Sequence, residues 1–157
     1  MLQRTAPTIR ELLSYRLHRA ANLLSRSAEL RYRRGFGVSL WEWRTVALLG
    51  GAEVPLSLNE LAGSAGIHKS QMSRVVSGLA ERRLVARSSN SADGRGVHLA
   101  LSKSGRKLYD GLIGAAAERD RAFRNCLSPN EKLVFERALS KLAGRARDFI
   151  QREKAAG

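Results

Sequence analysis

Four times along the chain a Ser or Thr stands three residues before a Glu: Thr8 with Glu11, Ser39 with Glu42, Ser57 with Glu60 and Ser128 with Glu131. In such a pair the hydroxyl accepts from the third N–H of a helix, and the carboxylate reaches back to the capping N–H. Donors that a helix start otherwise leaves orphaned are thereby satisfied. Each pair heads a stretch whose apolar residues recur at helical spacing, so the chain reads as a succession of helices. The first is expected from Thr8 to Arg33, with Leu13, Leu17, Ala20, Leu24 and Ala28 in period and Gly35 and Gly37 ending it. The second runs from Ser39 to Gly50 and Gly51, the third from Ser57 to about Gly66, and a fourth from Lys69 to Arg82. The last, from Ser128 to about Arg152, has Pro129 at its first position, where a missing donor costs nothing.

Between the fourth helix and the C-terminal region the period changes. Leu84 to Ser88 is short enough for a strand, and Val97, Leu99 and Leu101 alternate with His98 and Ala100, the two-residue period of a half-buried strand. The polar, turn-rich residues 89–96 lie between them, so the segment is expected to form a β-hairpin with an exposed tip. After Ser102 helical spacing returns as far as Asn125. The expected fold is mainly α with a small β-hairpin, in the order α-α-α-α-β-β-α-α.

Charge narrows the class of partner. Lys and Arg number 28 against 14 acidic residues, a formal net charge of +14. Clustered cations suit a polyanion, because phosphate contacts release condensed counterions. The single Cys126 cannot form an internal disulfide, no ligand spacing suggests a metal, and no cofactor is expected. The first residues lack the apolar core of a leader and no apolar run approaches a membrane span, so a cytoplasmic protein is expected. The three histidines, His18, His68 and His98, sit in separate elements without matched partners, and no Gly-rich phosphate loop occurs. The chain therefore does not read as an enzyme.

Two short helices around the turn Gly66-Ile67-His68 form a helix-turn-helix pattern. On a helical wheel Met72, Val75, Val76 and Leu79 of the second helix share a core-facing side. Ser70, Arg74, Ser77 and Glu81 lie opposite, flanked by Gln71 and Ser73, with Lys69 at the head. A small, polar, basic face is what a helix entering the major groove requires. In the adjoining hairpin Arg95 is placed to enter the minor groove, with Asp93 two residues earlier to orient it; Lys103, Arg106 and Lys107 follow as phosphate contacts.

The stretches Leu56-Ser57-Leu58-Asn59-Glu60-Leu61-Ala62, Gly66-Ile67-His68-Lys69-Ser70-Gln71-Met72-Ser73-Arg74-Val75-Val76, and Asp93-Gly94-Arg95-Gly96 with the following Leu99-Ala100-Leu101-Ser102-Lys103-Ser104-Gly105-Arg106 resemble the MarR family of regulators. So does Leu40-Trp41-Glu42-Trp43-Arg44-Thr45-Val46. The resemblance implies a winged helix-turn-helix homodimer that binds a palindromic double-stranded DNA operator, usually as a repressor. It implies major-groove contacts from Ser70, Gln71, Ser73 and Arg74, a minor-groove contact from Arg95, and Ser57 and Asn59 near the backbone. The sequence departs from the family pattern at His68, where Asp is common, and at Arg83, where Gly usually closes the helix.

Residues 39–101 are thus expected to form the DNA-binding lobe, and residues 1–38 and 102–157 a helical dimerisation region whose apolar stripes a second chain buries. A small aromatic or anionic effector is expected near Tyr15, His18 and Arg19 of the first helix and Trp41 and Arg44 of the second, releasing DNA when bound. The alternatives are a redox-responsive regulator of the same fold using Cys126, here expected to be buried and inert, and a non-specific architectural nucleic-acid-binding protein.

Overall fold

The computed structural model describes residues 6–89 and 97–157. Its elements are a 3-10 turn at Ile9–Glu11, α1 (Leu13–Phe36), α2 (Leu40–Gly51), β1 (Leu56–Ser57), α3 (Leu58–Ala65), α4 (Lys69–Glu81), β2 (Val85–Ser89), β3 (Val97–Leu101), α5 (Lys103–Asn125) and α6 (Pro129–Ala156). Three of the Ser/Glu pairs cap α2, α3 and α6 as expected.

The fourth pair corrects the expected start of the first helix. Both the N–H and the hydroxyl of Thr8 donate to the Glu11 carboxylate, at 2.7 and 3.1 Å. They close only a 3-10 turn, and Leu12 is then extended (φ −64°, ψ 132°) before α1 begins. A capping box acts over four residues and cannot ensure that the next turn continues. At the other end Gly35 does not break α1. The helix runs on to Phe36, and Gly37 ends it in the left-handed region (φ 64°), returning its N–H to the Arg33 carbonyl.

The hairpin also gains a strand. The sheet order is β1-β3-β2, with Leu56 opposite Leu99 and Ser57 opposite His98, all antiparallel. This sheet ties the head of α3 to the hairpin, the arrangement of a winged helix. β1 has two residues and exists through its pairing, so no local period announces it.

The contacts divide the chain into two units, Met1–Ile113 and Gly114–Gly157. The first holds the core. Tyr32, Val38, Val46, Leu61, Met72, Leu79, Leu99 and Leu112 are fully or almost fully buried. Tyr32 packs on Trp43, ring centres 5.0 Å apart at 48°. The buried Thr45 hydroxyl donates to the Met72 sulfur at 3.5 Å, so this polar atom is not left unpaired. A close backbone approach seats the head of α5: a Cβ on Gly105 would lie 2.0 Å from the Leu84 carbonyl oxygen. The second unit comprises the end of α5 and α6. No residue of α6 is buried, and Phe135, Leu139, Leu142 and Phe149 remain exposed along it.

Candidate nucleic-acid interface

The helix-turn-helix is built by two different helix endings. α3 stops at Gly66 (φ 69°), where a glycine accepts the left-handed conformation freely, and the Ile67 N–H returns to the Ala62 carbonyl. α4 stops with the same geometry but without a glycine. Arg83 takes φ 56°; its N–H donates to the Ala80 carbonyl at 2.8 Å, and the Leu84 N–H to Leu79 at 2.9 Å. This is the left-handed option that a non-glycine residue leaves open, at a cost of roughly 1–2 kcal/mol. Ser102 supports it: its hydroxyl donates to the Arg83 carbonyl at 2.6 Å and accepts from the Gly105 N–H at 3.0 Å. Ser102 therefore joins the end of α4 to the start of α5.

On α4 the buried side is Met72, Val76 and Leu79, with Val75 half-buried. Lys69, Ser70, Arg74 and Glu81 are exposed, while Gln71, Ser73 and Ser77 are half-buried at the edges. His68 caps the helix with extended backbone and no side-chain hydrogen bond. The first turn carries no acid, so the positive end of the helix dipole and Lys69 act together. At the other end Arg82 pairs with Glu42 of α2 at 2.9 Å, and the other oxygen of Glu42 accepts the Ser39 N–H at 2.7 Å. One carboxylate thus holds the head of α2 and the tail of α4.

Ser57 caps α3, its hydroxyl accepting from the Glu60 N–H at 3.2 Å, and Asn59 is exposed on the first turn. The Ser57 N–H, donated to the Glu60 carboxylate, holds that carboxyl below the usual range, helped by the Ser57 hydroxyl and by the neighbouring His98. Asp93 and Arg95 lie outside the described residues. Lys103 and Lys107 are exposed. Arg106 is turned to other work: it donates to the Gly50 carbonyl at 2.6 Å and lies over the Tyr109 ring at 5.3 Å.

Sequence reasoning missed Arg87. Its Nη2 donates to the Ser77 hydroxyl at 2.9 Å, tying β2 to α4. The available signal was the alternation Val85, Arg87, which puts both on one face of the strand.

Of the five expected effector residues, Trp41 and Arg44 are in contact with each other. Arg44 stacks over the Trp41 ring at 4.9 Å and donates to Ser25 of α1 at 3.2 Å. Arg44 also edges a hollow of about 300 Å³ with Trp43, Ala47, Leu48, Ser64 and Ala65. Tyr15, His18 and Arg19 lie about 9–15 Å along the α1 axis from Ser25, at 1.5 Å per residue. His18 there shares a 2.9 Å hydrogen bond with Asn22. Cys126 is exposed, not buried: it follows the end of α5, and its thiol donates to the Phe123 carbonyl at 2.9 Å. Among the described residues no group of acidic, His and Cys side chains is arranged to hold a metal, and no helix is long and apolar enough to cross a membrane.

Comparison with known proteins agrees with this geometry. A sequence profile of the MarR family matches residues 36–96. The HTH-type transcriptional regulator FarR of Neisseria gonorrhoeae is 30% identical over 102 residues, 65% of this chain and 69% of that protein. A MarR/EmrR family transcriptional regulator from Acinetobacter sp. ADP1 superposes with a TM-score of 0.83 at 25% identity, over 90% of this chain and 99% of that one. S. aureus MepR, in its complex with DNA, shares the fold with a TM-score of 0.80 at 19% identity, over 86% and 98% of the two chains. With the winged helix formed by its own residues and the match carried by both sequence and fold, the chain belongs to the MarR family of transcriptional regulators, not to an enzyme class.

Proposed function

We propose that the chain is a DNA-binding repressor that acts as a homodimer on a palindromic operator. The observation that supports this best is the division of α4: Met72, Val76 and Leu79 are buried while Ser70 and Arg74 are exposed. A helix so divided offers small polar groups and one guanidinium to a major groove. Lys69, Ser70, Gln71, Ser73 and Arg74 read or approach bases, with Ser57 and Asn59 beside the backbone. Arg95, oriented by Asp93, enters the minor groove. The fold shared with the MepR–DNA complex favours this placement.

The homodimer reading rests on apolar residues that this chain leaves uncovered. Leu13, Leu23 and Leu24 of α1 and Phe135, Leu139 and Phe149 of α6 are exposed. A second copy covering them makes 1–38 and 102–157 the dimerisation region and leaves 39–101 as the reading lobe. Two reading helices are then spaced for successive major grooves, about 34 Å apart.

An aromatic or anionic effector releases the DNA. Arg44, held between the Trp41 ring and Ser25, is the group best placed to receive it, since its partners lie on two helices. Such a ligand acts only if it favours one arrangement of those helices over the other. The protein works in the cytoplasm, where its operator lies.

Duplexes selected from a random library by the full-length protein test the proposal. Arg74→Ala and Arg95→Ala are each expected to lose about 1–3 kcal/mol on the selected site at one defined base pair. Equal weakening on selected and scrambled duplexes, with a reduced salt slope, would mark a non-specific binder.

A further inference from the structure

We infer that Arg87 is a positioning residue for DNA reading: anchored on Ser77, it fixes the angle between the stem of the wing and the recognition helix. The inference rests on the DNA-reading function proposed above.

Successive side chains of a strand point to opposite faces. In β2 the side chain of Val85 is buried, and Arg87 lies on that same inward face, directly opposite the buried Leu99 of β3. The half-buried face of a sheet ordinarily carries an apolar residue there. Arg87 is exposed although Leu99 opposite it is buried, so at this level the apolar packing is carried by the central strand β3 and no longer by the edge strand β2. A polar tie replaces it, from Nη2 of Arg87 to the hydroxyl of Ser77 at 2.9 Å. A guanidinium is a rigid planar fork, so a bond through one of its nitrogens also constrains the plane of the others.

Ser77 follows Arg74 by about one helical turn, on the flank of the face assigned to DNA. The tie therefore acts close to the reading surface. At the tail of α4 the Arg82–Glu42 pair holds the helix to α2. Arg87 holds the strand side. Between these ties lies Arg83 in its left-handed conformation, the single described non-glycine residue with positive φ. Strand and helix are joined through that strained link, and Arg87 closes the seam from the far side.

The test uses the full-length protein, a duplex selected from a random library, and a scrambled duplex of the same composition. Ser77→Ala removes the acceptor without changing charge. It is expected to weaken binding to the selected duplex about tenfold, as for a hydrogen bond to a charged group, and to leave the scrambled duplex unchanged. Combined with Arg87→Ala it should add little further loss, and Ser77→Thr, which keeps the hydroxyl, should restore binding. Additive losses would show that the two side chains meet DNA independently and overturn the positioning role. So would an Arg87→Ala loss equal on both duplexes with a salt slope reduced by about 1, the mark of a phosphate contact. Selection by wild type with Ser77→Ala binding equally well overturns the positioning role alone, whereas a wild-type protein that selects no duplex overturns the proposed function with it.

Discussion

In residues 1–113 Leu61, Met72 and Leu79 are wholly enclosed, whereas in residues 114–157 Phe135, Leu139 and Phe149 keep 49%, 42% and 52% of their surface exposed. The hydrophobic content is similar in kind, but the first unit has helices on several sides of a small sheet and the second has two helix segments. Two helices cannot enclose their own stripes. The first unit is also cross-tied by polar groups between elements distant in sequence. Glu42 joins α2 to α4, Ser102 joins the end of α4 to α5, and Glu29 of α1 accepts the Leu40 N–H at the head of α2 while pairing with Arg33. The difference teaches that the first unit encloses a core of its own, whereas the second leaves its apolar stripe uncovered.

Glycine substitutions separate the units most sharply. Gly105→Ala drives a methyl into the Leu84 carbonyl oxygen, and thermal or urea unfolding should show a loss of about 3 kcal/mol. Gly114→Ala meets nothing within 4 Å inside α5, so the same measurement should show a gain of about 0.5–1 kcal/mol. A loss at both positions would erase the contrast.

The proposed homodimer predicts a melting temperature that rises with protein concentration. Phe135→Ser should weaken self-association about tenfold or more, read by sedimentation equilibrium, with little change in the folding of the first unit. An unchanged association constant would mean that α6 does not contribute.

Glu29→Gln tests the ties of the first unit and should cost about 1 kcal/mol. The bond from Arg33, with that from the Leu40 N–H, holds the Glu29 carboxyl below its usual range against the opposing effect of burial. A folded-state value below the unfolded one, about 4.3, means that this stabilisation is complete above that value and fades as pH falls through the folded one. Acid unfolding of Glu29→Gln should lose that part of the pH dependence; an unaltered profile would remove Glu29 from the account.

The smallest expected effects are gains at the two departures on α4. Arg83→Gly relieves a left-handed arginine, offset in part by glycine's freedom in the unfolded chain, and should stabilise by about 1 kcal/mol. His68→Asn supplies a capping side chain that His68 does not and should add about 0.5–1 kcal/mol. Chemical denaturation resolves both.

What was legible in the sequence was local. Ser39, Ser57 and Ser128 marked three helix heads because a capping box is complete within four residues, and Met72, Val76 and Leu79 declared the buried side of α4 through their spacing. The same locality misled at Thr8, whose box closes a turn that goes no further. What stayed hidden depends on partners far along the chain: β1 on β3, Arg82 on Glu42 some 40 residues away, Gly105 on the Leu84 carbonyl, and Arg87 on Ser77. The exposure of Cys126 was equally out of reach, since burial follows from packing and residues 114–157 enclose none of their own side chains.

Hydroxyl-radical footprinting of the full-length protein on a selected duplex tests the proposed homodimeric reading of DNA most directly. The account predicts two symmetric protected patches whose centres lie about one helical turn, 34–36 Å, apart. One isolated patch, or even protection along the duplex, would contradict it.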